Sequence, residues 1–125
     1  MIVLNKEQIK KLHSVLIEKT GGIDGIRDEG LLDSSLASPF HTFDGIDLYP
    51  TVISKIVQFT KSLVCNHAFI DGNKRIGTYV MLVLLELNNI NAQFTDDDII
   101  YMGLQLASGQ MTNEQLMDII VNSIL

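Results

Sequence analysis

His67-Ala-Phe-Ile-Asp71-Gly-Asn-Lys-Arg75-Ile-Gly77 gathers an imidazole, a carboxylate, a glycine, an amide and two adjacent cations into eleven residues. Cys65 and Asn66 lead in from one apolar run, and Tyr79 to Leu87 lead out into another. The polar cluster therefore sits in a break between hydrophobic segments, where backbone groups are free to face a ligand. An imidazole at His67 can take a proton from a hydroxyl near neutral pH. Asp71 is a hard oxygen ligand of the kind Mg²⁺ shares with a nucleotide's phosphates. Gly72 lets the backbone come close, and Asn73 can cap the helix that follows. The free N–H groups and positive end of that helix form an anion cradle. Lys74 and Arg75 then fall in its first turn, where each cation costs a few tenths to about 1 kcal/mol. Two cations there imply a compensating anion. Taken one at a time, the histidine, the Asp-Gly-Asn turn and the Lys-Arg pair have ordinary surface explanations; their joint occurrence points to phosphate handling.

Outward from this stretch, the chain reads as helices. Asn5 can cap a first one whose Ile9, Leu12, Leu16 and Ile17 follow helical spacing, ending before Gly21-Gly22. Asp28 or Glu29 begins a short helix through Leu31, Leu32 and Leu36, stopped near Pro39. Asp44-Gly45, between short alternating pieces of Phe40–Tyr49, is a hairpin signal. Pro50 suits the first turn of a helix that is apolar almost all round from Val52 to Val64, the expected central helix. The helix after Asn73 is expected to run to about Leu87. Thr95 with Asp98, and Thr112 with Gln115, mark two further helix starts. The three acids Asp96, Asp97 and Asp98 fit a helix N-terminus. The only sheet expected is the hairpin, joined at most by Ala92–Phe94. The fold class is mainly α with an exposed β-flap.

Composition narrows the function. A chain of 125 residues is about one domain. The net charge of −6 argues against direct nucleic-acid binding but leaves room for a local cationic pocket. No apolar run approaches the roughly 18 residues of a membrane span, and no signal peptide is readable. The single cysteine, Cys65, excludes an internal disulfide and reads as a small core residue. These features together read as cytoplasmic. His13 and His41 have no evident partner in the sequence.

The stretch from His67 resembles the signature of the Fic/Doc superfamily, His-x-Phe-x-(Asp/Glu)-Gly-Asn-x-Arg. Its Asn-Lys-Arg version at Asn73–Arg75 is similar to the death-on-curing (Doc) branch, toxins of toxin–antitoxin operons. Gly25-Ile-Arg-Asp-Glu-Gly-Leu-Leu-Asp-Ser-Ser-Leu-Ala-Ser-Pro39 and Leu48-Tyr49-Pro50 extend the similarity in the expected order, so that it covers essentially the whole chain, 1–125. The resemblance implies a compact helical bundle with a β-hairpin flap at about 40–49 over an active-site loop at 67–75. It implies His67 as general base, Asp71 as Mg²⁺ ligand, and Gly72, Asn73, Lys74 and Arg75 as the cradle for ATP. His67, Asp71 and Arg75 are the catalytic set it implies. Arg27, Asp28 and Glu29 match a segment that helps shape the family's site, although a helix start explains the two acids equally well.

Fic enzymes most often transfer AMP to a protein hydroxyl, and this chain departs from their pattern twice. Lys74 replaces a glycine of the cradle, and Thr78 replaces a second arginine, removing a charge-assisted bond to phosphate. In the Doc branch the lysine accompanies a reversed nucleotide and transfer of the γ-phosphate, with translation elongation factor Tu as the kind of target. The expectation is therefore a Mg²⁺-dependent, ATP-using protein kinase that blocks translation. AMP transfer to another protein and a non-catalytic nucleotide- or protein-binding regulator are the alternatives. Thr20-Gly-Gly-Ile-Asp24-Gly25 is the nearest string to the family's inhibitory helix, but its glycines oppose helix formation at about 1 kcal/mol apiece. Read as a turn, it leaves control to a separate antitoxin whose disordered tail would fold onto this domain.

Overall fold

Helix α1 (Lys6–Thr20) starts where the Asn5 side chain accepts from the Gln8 amide at 2.9 Å, while Gln8 returns a bond to the Asn5 amide at 2.8 Å. The computed structural model describes residues 1–125. The buried stripe of α1 is Ile9, His13 and Ile17, and the helix ends at Gly21, where φ is +86°. Asp28 caps α2 (Glu29–Ala37). The α-helix stops just before Pro39, as the proline predicts, and a 3-10 turn, Ser38–Phe40, follows with Pro39 inside it. The hairpin follows as β1 (Thr42–Phe43) and β2 (Ile46–Asp47), with Thr42 opposite Asp47 and Phe43 opposite Ile46. Asp44 and Gly45 both have positive φ, which matches the right-handed twist of the paired strands.

Pro50 lies outside the next helix rather than in its first turn. Thr51 caps α3 (Val52–Cys65) through a reciprocal pair with Ser54, because only a residue with a side-chain oxygen and a free N–H can close that box. α3 is the central helix: it packs on α2, α4 (Asn73–Leu87), α5 (Asp96–Ala107) and α6 (Asn113–Asn122), most extensively on α4. Ile56, Val57, Phe59, Leu63 and Val64 are buried along it. Close approach of α3 and α4 depends on Gly77, where a Cβ would overlap the Val64 side chain and lie 3.2 Å from the Thr60 carbonyl oxygen. Thr95 and Thr112 cap α5 and α6 as their sequences predict.

Ala92 does not extend the hairpin. It pairs with Ile124, while the amides of Gln93 and Leu125 reach the Ser123 and Asn91 carbonyls, so this segment fastens the C-terminus instead. The fold is mainly α with one two-stranded antiparallel sheet. No helix is long and apolar enough to cross a membrane. The hairpin is exposed, with Phe43 at 76% and Ile46 at 71% accessibility, a costly arrangement for two large apolar side chains unless something docks there.

Candidate active site

The loop between α3 and α4 is held from three sides. Its neighbour is the chain entering α2: the amides of Arg27 and Asp28 both reach the Ala68 carbonyl, at 2.8 and 3.0 Å, and the Ile70 amide reaches the Gly25 carbonyl at 3.1 Å. Arg27 Nε also donates to the His67 carbonyl at 2.6 Å. That contact helps hold His67 at φ +52°, a left-handed conformation costing an L-residue about 1–2 kcal/mol. The His67 side chain is left exposed at the mouth of the loop. Phe69 is buried at 1% accessibility and anchors the loop in the core, as its apolar character predicts.

Asn73 is not the cap of α4. Gly72 occupies that position with φ +77° and no side-chain bond, and Asn73 is the first helical residue. Its amide reaches back to clasp Phe69, accepting from the Phe69 amide at 3.1 Å and donating to the Phe69 carbonyl at 3.0 Å. Only a side chain carrying both a donor and an acceptor can close this ring. The amides of Asn73, Lys74 and Arg75 make no hydrogen bond within the chain, so the start of α4 presents free N–H groups as an anion cradle requires.

The third support is the turn after α1. Asp71 accepts from the Gly72 amide at 2.8 Å through Oδ1 and from the Ile23 amide at 3.2 Å through Oδ2. The Ile23 amide first, then the Gly72 amide, holds the Asp71 carboxyl below its ordinary range; the Arg75 charge adds less. Arg75 Nη1 donates to the Thr20 hydroxyl and to the Gly21 carbonyl, both at 2.6 Å, while Nη2 lies 3.6 Å from Asp71 Oδ1. Arg75 is thus compensated largely from within, which halves the demand for an outside anion inferred from the sequence. Lys74 is exposed and forms no ion pair. The Thr78 hydroxyl returns to the carbonyls of Lys74 and Arg75 on its own helix and offers nothing to a ligand. Cys65 donates to the Leu106 carbonyl, and burial pushes its thiol up, in keeping with a core residue.

His67, Ile70 and the run Asp71–Arg75, with Val64 and Ala107 behind them, line one open cleft of about 350 Å³. Residues 3–85, two-thirds of the chain, match the family model described as Fic/DOC family. The chain belongs to the Fic/DOC family. It is 36% identical over 87 residues to a protein of Mycolicibacterium smegmatis named Toxin Doc, a match covering 70% of this chain and 65% of that protein. The chain therefore spans slightly less than two-thirds of the length of that relative.

The cleft of this Fic/DOC protein has a sparse metal-binding donor set. Asp71 is its only carboxylate, and nowhere do three His, Cys, Asp or Glu side chains gather as a metal site would need. That donor set fits a hard divalent cation arriving with a nucleotide, whose phosphates and waters supply the other ligands, rather than a resident metal. Each Asp71 oxygen accepts one N–H and keeps a second lone pair for such an ion.

Two features around the cleft of this Fic/DOC protein escaped the sequence reading. The chain after α1, Gly21–Gly25, is a turn, as expected, and Thr20 is the last residue of the helix, but the bonds that Thr20, Gly21 and Ile23 make to Arg75 and Asp71 have no signal in the sequence. Gly22 is required there, since a Cβ at its φ of +122° would stand 2.7 Å from Asp71 Oδ2. His13 is 1% exposed and its Nε2 is 2.7 Å from the Asp71 carbonyl oxygen. Its signal was present in the spacing, because position 13 falls midway between Ile9 and Ile17 on the apolar stripe of α1.

Proposed function

We propose that this chain is a Doc-type toxin that transfers the γ-phosphate of ATP to a hydroxyl on a target protein and so blocks translation. Lys74 carries the reading. It is an exposed cation with no ion pair, placed beside free amides at the start of α4, where AMP-transferring relatives have glycine. A lysine there fills cradle space that an α-phosphate would need and leaves a charge for the terminal phosphate. In the step itself, His67 takes the target hydroxyl's proton as the hydroxyl oxygen bonds to the γ-phosphorus. The bond from phosphorus to the β–γ bridging oxygen breaks, and ADP leaves. Asp71 would hold Mg²⁺, which supplies charge neutralisation to the phosphates.

The exposed apolar hairpin, with Phe43, Ile46 and Leu48 outward, suits a flap that pairs strand-like with the target segment. Elongation factor Tu is the target this reading favours, acting in the cytoplasm, with a separate antitoxin as restraint. The test uses purified protein, Mg²⁺ and elongation factor Tu with either α- or γ-labelled ATP, beside a His67→Ala variant. Label from the γ position alone, lost in the variant, is the expected result. Label from the α position would replace phosphotransfer by AMP transfer. No label on elongation factor Tu or on any protein of a cell lysate would leave a binding module.

A further inference from the structure

His13 is the one buried imidazole of the chain, and nothing in the proposed reaction uses it. Its ring stacks on Phe69 at 3.9 Å between centroids and 15° between planes. Its Nε2 meets the Asp71 carbonyl at 2.7 Å, and because a carbonyl only accepts, Nε2 carries the hydrogen. Nδ1 lies 3.3 Å from Asp24 Oδ1 but has no hydrogen-bond partner. The single bond His13 makes is therefore to the residue whose carboxylate faces the cleft. Gly72 rests on the same surface of α1: a Cβ there would come within 3.0 Å of Ile17 Cδ1 and 3.5 Å of His13 Nε2. The peptide joining Asp71 to Gly72 is thus pinned at its carbonyl by α1 while its amide donates to the Asp71 side chain.

We propose that His13 is a positioning residue for Asp71: its Nε2–H holds the Asp71 carbonyl and so aims the carboxylate at the cleft. The bearing on Mg²⁺ rests on the phosphotransfer reading; the geometry does not. His13→Leu keeps an apolar body on Phe69 and removes the donor, whereas His13→Gln keeps an N–H at a similar reach. Hydrogen exchange is followed by NMR at the Gly72 and Ile23 amides, the two donors to the Asp71 carboxylate, in the whole chain without nucleotide. His13→Leu is expected to speed both by roughly five- to tenfold, the effect of one lost buried hydrogen bond. His13→Gln is expected to restore most of that protection, even where urea midpoints show both variants equally destabilised. Unchanged exchange in His13→Leu, or equal loss in both variants, would overturn the proposal. Affinity for a non-hydrolysable ATP analogue with Mg²⁺ should follow the two amides, weaker in His13→Leu and recovered in His13→Gln. Amides that respond while affinity stays constant would refute the link to the metal. A wild-type chain taking up no analogue would instead sink the phosphotransfer reading, and the two amides would still decide the role of His13.

Discussion

At the residue scale, the site depends on side chains that satisfy backbone groups as much as on those that face a ligand. Asn73 shows this best. It reads as a cap and is instead a clasp, because Gly72 can take the left-handed cap conformation and frees the asparagine to bond Phe69 twice. Asn73→Ala would leave the Phe69 N–H and C=O unpaired, at about 1–3 kcal/mol for each buried group. Asn73→Asp should recover little, since a carboxylate accepts from the N–H but cannot donate to the carbonyl. Urea unfolding of the two variants checks this, and near-wild-type stability in Asn73→Asp would contradict the clasp. Gly22→Ala is expected to cost about 1–3 kcal/mol in backbone strain and to push Asp71 and Arg75 apart. Transfer activity should then fall more than stability does, as measured by labelled phosphate incorporated at a temperature where the variant is folded.

At the element scale, the α3–α4 contact sets where the loop between them emerges. Gly77 permits it. Gly77→Ala sets two effects against each other: a helix-propensity gain of about 1 kcal/mol and overpacking that costs typically 1–3 kcal/mol. The overlap is with the Val64 side chain, with Thr60 backbone in tight contact behind it in a buried interface, so overpacking is expected to win. The urea midpoint should fall, with the loop displaced along with α4. A rise would mean that α4 shifts freely on α3. The helix starts at Asn5, Thr95 and Thr112 were legible in local sequence because each cap is a contact across three residues, to Gln8, Asp98 and Gln115; the same kind of box between Thr51 and Ser54 lay hidden behind Pro50. Pro50 misled because a proline just before a cap and one just inside a helix look alike until the capping bond is seen.

At the scale of the whole molecule, the carboxylates that tie distant elements together make folding sensitive to acid. Lys6 and then Lys10 hold Glu29 below its ordinary value across α1 and α2. The Ser14 hydroxyl, then the Gly25 amide, does the same for Asp24, and the Ile23 amide for Asp71. In each case the folded carboxyl binds its proton less readily than the unfolded one. Their contribution is therefore complete above the ordinary carboxyl range of about pH 4 and is lost as pH falls through the lower folded values. Urea midpoints measured from neutrality downward should stay level and then drop, and Glu29→Gln should make the drop shallower. By itself the sequence determined the helical class, several of the capped helix starts, the hairpin turn and the polar residues of the cleft, because periodicity, caps and the motif are all local in the chain. Only the tertiary structure decided that the turn after α1 holds Asp71 and Arg75, that Arg27 holds His67, and that His13 belongs beneath the loop. Those contacts join residues some 40 to 58 positions apart, through backbone amides and carbonyls that every residue carries. No side-chain pattern announces which of them will meet.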